Sequence, residues 1–327
     1  RLDRAPGFAP IDDHPRPRLE LPGLIVAETT EGLVVRSTAG FVDVRLDGRV
    51  VQARLRGRLK NTPRTTDLCV IGDHVLLSRP DERSVVVEKV LPRRSRFSRR
   101  QPGRGPNKED VLVANLDQLL ITFCHGRPVL KTRLLDRFLV IAEHQHVQPI
   151  IVMNKADLRE PGDGAWQRAY ESIGYPILTV SAGTGQGLEA LGEVLHDKIS
   201  AFVGPSGVGK SSLINRIVPG LDLDIASVSD HHGKGRHTTR VASLHALAGG
   251  GFLADTPGIR ELGTWAMPVA HLDQCFPELR SYRMQCAFRS CSHTHEPGCA
   301  VGDALNEGAI DPERYESYVR LREEATG

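Results

Sequence analysis

The stretch Gly204-Pro205-Ser206-Gly207-Val208-Gly209-Lys210-Ser211 decides the fold of this 327-residue chain. It fits G-x-x-x-x-G-K-[ST], a phosphate-cradling loop set between a strand and a helix. Ile199-Ser200-Ala201-Phe202-Val203 before it reads as a short buried strand, and Ser212-Leu213-Ile214-Asn215-Arg216-Ile217 after it carries on as a helix. Glycines let successive backbone N–H groups converge on an anion, and the helix N-terminus adds its positive end. The pattern assigns nucleotide contacts to Gly204, Pro205, Ser206, Gly207, Val208, Gly209, Lys210, Ser211 and Ser212. Lys210 is expected to reach the β- and γ-phosphates, and Ser211 to ligate Mg²⁺.

Upstream, the texture is α/β. Leu119-Leu120-Ile121-Thr122-Phe123 reads as a strand, Leu134 to Glu143 as a helix, and Pro149-Ile150-Ile151-Val152-Met153 as a second strand. That strand ends in Asn154-Lys155-Ala156-Asp157. An N-K-x-D sequence at a strand end suits guanine: the Asp157 carboxylate accepts from N1–H and N2–H₂, while the Asn154 amide orients base and loop. Adenine offers the wrong edge and would leave a carboxylate unpaired. The strand Ile177-Leu178-Thr179-Val180 then leads into Ser181-Ala182, the place for a backbone N–H to guanine O6.

Downstream, Leu221 to Arg240 is rich in Gly, His and Asp and reads as a switch segment, closing on His237-Thr238-Thr239-Arg240. A threonine here is placed to complete the Mg²⁺ shell when a γ-phosphate is present. The apolar strand Gly251-Phe252-Leu253-Ala254 runs into Asp255-Thr256-Pro257-Gly258, which fits D-x-x-G: Asp255 on the Mg²⁺ side, Gly258 sensing the γ-phosphate. The base-binding elements therefore precede the phosphate loop, the reverse of the usual order. A circular permutation explains this at little cost, because domain termini tend to lie close together.

The flanks differ in kind. Residues 1–20 hold Pro6, Pro10, Pro15 and Pro17 among mixed charges and read as disordered. Short β-branched runs over 21–92, punctuated by Gly32, Gly40, Asp47-Gly48 and Gly72-Asp73, suggest a small closed barrel of OB type. The run Arg45, Arg49, Arg54, Arg56, Arg58, Lys60, Arg64 is placed to face nucleic acid. Residues 93–110, with Arg93, Arg94, Arg96, Arg99, Arg100, Arg104 and Lys108, read as a mobile basic connector that attracts phosphate backbones. The GTPase domain is set at 111–265 and a C-terminal domain at 266–327. In the latter, Cys286-x4-Cys291-x-His293-x5-Cys299 supplies three thiolates and one imidazole, a closed set suited to one structural zinc ion, with His295 as a spare. Cys69, Cys124 and Cys275 read as small buried hydrophobes. Pro312 to Glu324 reads as a helix whose Tyr315, Tyr318 and Val319 face the packing.

Composition sets limits. Lys+Arg 42 against Asp+Glu 40 is close to balance, so overall charge selects no partner. Six cysteines in this length are no disulfide scaffold, and no apolar run approaches the span of a membrane helix. The start at Arg1 shows no signal-peptide core, and a cytoplasmic setting is expected.

An N-terminal OB-type β-barrel, a circularly permuted α/β P-loop GTPase domain and a C-terminal helical zinc-binding domain together resemble one family, the small-subunit-dependent RsgA GTPases. The motifs that carry the resemblance are G-R-H-T-T at 235–239, G-P-S-G-V-G-K-S-S-L-I-N at 204–215 and C-x4-C-x-H-x5-C at 286–299. The resemblance implies a monomer that hydrolyses GTP, stimulated by the small ribosomal subunit during late assembly, and that contacts ribosomal RNA. Where many GTPases carry a water-orienting Gln after D-x-x-G, this chain has Ile259, as members of the family do, and His237 becomes the candidate to position the water. Related T-T-R patterns favour Thr239 over Thr238 on Mg²⁺, which places His237, Lys210 and Thr239 in the catalytic set. Two rival readings are an RNA-binding assembly chaperone with only a structural nucleotide, and a metabolic P-loop ATPase or kinase.

Overall fold

Five β-branched strands alternate in burial and close on themselves: β1 (Thr30–Thr38), β2 (Phe41–Leu46), β3 (Arg49–Leu55), β4 (His74–Asp81) and β5 (Ser84–Val90). The computed structural model describes residues 29–38, 40–57, 68–81, 84–100, 109–218, 220–221, 242–256, 259 and 271–326. Pairing runs β1–β2–β3–β5–β4 and back to β1, with β3 and β5 parallel, which is a five-stranded OB-type barrel. Val34, Val42, Val44, Ala53, Val75, Leu77 and Val87 fill it. Asp47 and Gly48, both at positive φ, make the β2–β3 hairpin with the backbone hand that twisted strands require. The segments 1–20, Leu24 to Glu28, Arg58, Lys60 and Arg64 lie outside the described residues.

The stretch read as a basic connector is in part a sheet. β6 (Arg96–Arg100) pairs antiparallel with β7 (Glu109–Ala114), and Phe97, Val111 and Val113 are buried there. Its arginines meet acids that the fold brings to them, one of them, Asp110, at the stretch's own end. Arg93 grips the fully buried Asp73 through Nε and Nη2 at 2.7 and 2.8 Å, Arg94 meets Asp117 and Arg99 meets Asp110. A count of acids within the segment could not reveal partners that only pairing supplies. Residues 101–108 lie outside the described residues.

The second unit is a doubly wound sheet of β8 (Gln118–Cys124), β9 (Gln148–Asn154), β10 (Ile177–Thr179), β11 (Ile199–Val203), β12 (Ser243–Ala246) and β13 (Phe252–Asp255). Its order is β10-β9-β8-β11-β13-β12, parallel throughout except β12. Every residue of β8 and β11 is buried, as befits central parallel strands covered on both faces. Helices α1 (Thr132–His144), α2 (Gln167–Ser172), α3 (Leu188–Leu195) and α4 (Lys210–Ile217) follow the strands. The sheet does not stop at β12, since Arg36 of β1 pairs with Ser243, so barrel and α/β unit share one continuous sheet.

The C-terminal unit is helical: a 3-10 turn (Leu272–Cys275), then α5 (Pro277–Arg283), α6 (Ala300–Asn306) and α7 (Pro312–Thr326). Its apolar residues Leu272, Phe276, Leu279, Tyr318 and Leu321 join the same core cluster as α1. Arg314 of α7, 2 % exposed, ion-pairs with Asp136 of α1 and Glu278 of α5 and lies over the Phe276 ring. Such a buried cation needs all its partners in place, which locks α1, α5 and α7 together.

Candidate nucleotide and metal sites

Four loops meet at the C-terminal ends of β8, β9, β10 and β11, where an open α/β sheet takes its ligand. The phosphate loop leaves β11 at Gly204, φ +138°, where a Cβ would stand 2.0 Å from the Thr122 carbonyl oxygen. At Gly209, φ +91°, a Cβ would stand 2.3 Å from Asn154 Nδ2. Only glycine permits both approaches. Lys210 opens α4 and donates from Nζ to the Gly204 and Pro205 carbonyls at 2.7 and 2.6 Å, folded over the loop it serves. Ser211 and Ser212 occupy the next helical positions and Ser206 is exposed at the loop tip.

The base-side motif touches this loop directly. Asn154, 1 % exposed, donates from Nδ2 to the Val208 carbonyl at 2.9 Å and accepts at Oδ1 from the Ala182 N–H at 3.1 Å. Lys155, in the left-handed region, donates from Nζ to the Gly207 and Arg127 carbonyls at 2.9 and 2.6 Å. Ser181 Oγ donates to Asp157 Oδ1 and itself accepts from the Thr184 N–H, while Asp157 stays exposed to the cleft. The two motifs, 54 residues apart at Asn154 and Val208, are therefore walls of one site. Asp255 ends β13, next to β11, opposite Ser243. Gly258, His237, Thr238 and Thr239 lie outside the described residues.

Cys286, Cys291, His293 and Cys299 bring their ligand atoms within 4.8 Å of one another. His293 Nδ1 is 3.5 Å from both the Cys286 and the Cys299 sulfur. A tetrahedral zinc with bonds of about 2.3 Å to sulfur and about 2.0–2.1 Å to nitrogen spaces S and N about 3.5 Å apart, so the donors fit the ion. Burial first, then the Cys299 thiol, pushes Cys291 up to about 12, a cost that a bound cation removes by taking the thiolate. His295 is exposed and bonds Thr294 instead.

Sequence reasoning missed the shell around this set. His293 Nε2 faces Asp273 Oδ2 at 3.7 Å, the carboxylate that orients a ligating imidazole. Burial would raise the Asp273 carboxyl, but the His293 imidazole beside it and the hydrogen bond from Arg283 outweigh it and hold it at about 2. Glu296 accepts from the Ser292 N–H at 2.7 Å, and the Tyr315 and Tyr318 hydroxyls donate to the carbonyls of His293 and Ser292. Asp273 carries no spacing signal, because it reaches the cluster only through the packing of the 3-10 turn. Cys69, Cys124 and Cys275 are buried, as read.

A P-loop joined to an N-K-x-D loop that precedes it in the chain defines a circularly permuted GTPase. Two solved structures have the same architecture: YjeQ from Thermotoga maritima (TM-score 0.74, 35% identity, 92% of this chain and 99% of that one) and YloQ, described as a circularly permuted GTPase (TM-score 0.73, 30% identity, 91% and 96%). The RsgA GTPase family model matches residues 90–265 and the RsgA N-terminal domain model residues 31–87. The chain belongs to the RsgA family of GTPases. Among its relatives are the small ribosomal subunit biogenesis GTPase RsgA of Gemmatimonas aurantiaca, 48% identical over 273 residues (83% of this chain, 89% of the relative), and that of Chlorobaculum parvum, 42% identical over 264 residues (78% and 85%).

Proposed function

We propose that this protein hydrolyses GTP as a checkpoint on the maturing small ribosomal subunit, docking in the GTP-bound state and leaving after hydrolysis. The observation that supports the reading is the contact of Asn154 with the Val208 carbonyl, which joins the N-K-x-D loop to the phosphate loop. The guanine edge is read by Asp157, steadied by Ser181, with the Ala182 N–H shared between Asn154 Oδ1 and guanine O6. The phosphates lie along Gly204 to Ser212, with Lys210 swinging from its loop carbonyls to the β- and γ-oxygens. Ser211, Thr239 and Asp255 hold Mg²⁺, which neutralises charge developing on the phosphates. His237 positions the attacking water, because the place of the usual Gln is taken by Ile259, which is buried.

The protein acts as a monomer, and its exposed Arg49 and Arg54 contact ribosomal RNA from the barrel. Zinc, held by Cys286, Cys291, His293 and Cys299, fixes the C-terminal loops and does no chemistry. Turnover measured with purified small subunits, large subunits and neither tests the proposal. Stimulation by the small subunit alone is expected. Turnover indifferent to subunits would favour a chaperone with a structural nucleotide.

A further inference from the structure

β12 is the outermost strand of the α/β sheet, and an exposed edge offers unpaired N–H and C=O groups to any passing strand. In this chain the barrel meets it at Ser243. Arg36 of β1 stands opposite Ser243 of β12, and Ser243 stands opposite Asp255 of β13, so one residue row crosses from barrel to Mg²⁺ side. On the barrel side, Arg36 also stands opposite Asp43, its Nε 3.8 Å from Oδ2. A second link crosses at the other end of β13. The Arg45 guanidinium of β2 lies over the Phe252 ring, 5.4 Å from its centroid. Arg45 belongs to the run read as facing nucleic acid, yet its contact is with the strand that ends in Asp255.

We propose that Arg36 and Arg45 are positioning residues for the Mg²⁺–GTP site, acting on Asp255 through β12 and β13. The inference rests on the reading of Asp255 as the Mg²⁺-side carboxylate. Strands paired in one sheet and packed against one core move as a unit rather than bend independently. An RNA phosphate that engages either arginine therefore pulls on the strand that presents Asp255. Barrel occupancy and metal-dependent GTP turnover become coupled without any contact between RNA and nucleotide.

The test is the Mg²⁺ midpoint of GTP binding, read by equilibrium binding, and of GTP hydrolysis by the full chain with no ribosomal subunits present, for wild type, Arg36→Ala, Arg45→Ala, Arg45→Lys, Phe252→Leu and Asp255→Asn. Arg45→Ala and Phe252→Leu are expected to shift the midpoint at least threefold in the same direction. Their double variant should shift it no further, Arg36→Ala should shift it as well, and Arg45→Lys, which keeps a cation over the ring, should restore most of it. Phe252→Leu removes no charge and so separates this role from RNA affinity. Midpoints shifted by less than threefold in Arg36→Ala and Arg45→Ala would overturn the proposal and leave these arginines no role in placing Asp255. Asp255→Asn is the control. If it leaves the midpoint unchanged, the Mg²⁺ assignment of Asp255 fails, and with it the route proposed here, even where the barrel variants act.

Discussion

Asn154 and Val208 are joined by a 2.9 Å hydrogen bond from a side-chain amide to a loop carbonyl, tying the end of β9 to the phosphate loop. The same carboxamide accepts from Ala182, so one buried side chain spans three loops. Asn154→Ala strips the buried Val208 carbonyl of its donor, a loss of about 1–3 kcal/mol, and takes the acceptor from the half-buried Ala182 N–H. GTP affinity should fall by about tenfold or more, read by equilibrium binding, with less change in global unfolding. Affinity equal to wild type would remove Asn154 from the organisation of the site.

Gly204→Ala places a methyl 2.0 Å from the Thr122 carbonyl at a backbone angle that side chains resist. Nucleotide binding should be lost, while the far-UV circular dichroism of the folded chain changes little. Retained GTP binding would mean that the loop relaxes around the added carbon.

Metal removal should act on one end of the molecule. A chelator, or Cys286→Ser, is expected to release one zinc per chain by elemental analysis and to raise hydrogen exchange in α5 to α7. Asp273→Asn should weaken zinc binding about 10- to 100-fold without removing a ligand, because the imidazole loses its orienting carboxylate. A protein that carries no zinc as purified would end the claim.

Arg314→Leu leaves Asp136 and Glu278 buried without their cation, and breaking such a pair costs about 3–5 kcal/mol. The urea midpoint should fall accordingly, and the triple change with Asp136→Asn and Glu278→Gln should recover part of the loss. A midpoint unmoved by Arg314→Leu would show that α7 is not locked to α1 by charge.

His237→Ala should keep GTP affinity and lower subunit-stimulated turnover by about 10²-fold, within the range of general acid–base groups. Single-turnover hydrolysis with small subunits reads this directly. Equal turnover would take His237 out of the reaction.

What the sequence made legible was what lies close along the chain. The phosphate loop, Asn154 to Asp157 and the cysteine–histidine set each span under 15 residues, and fixed spacing on a strand, turn or helix already determines their chemistry. The barrel was legible from alternation and turn residues. What stayed hidden depends on pairing across distance. Asp273 meets His293 by tertiary packing, Arg314 finds Asp136 across 178 residues, and β6 pairs with β7 to turn a basic linker into a sheet. The junction of β1 with β12 is of the same kind, since an edge strand carries no mark of which neighbour will cover it.

Exchanging the base is the most direct test of a single cleft. Asp157→Asn replaces the proposed acceptor for guanine N1–H and N2–H₂ with a group that donates toward the carbonyl of xanthine. Turnover of GTP and xanthosine triphosphate by this variant, each with small subunits, should invert the wild-type preference while Lys210→Ala abolishes both. Undiminished GTP specificity in Asp157→Asn would contradict the assignment of base and phosphates to one site.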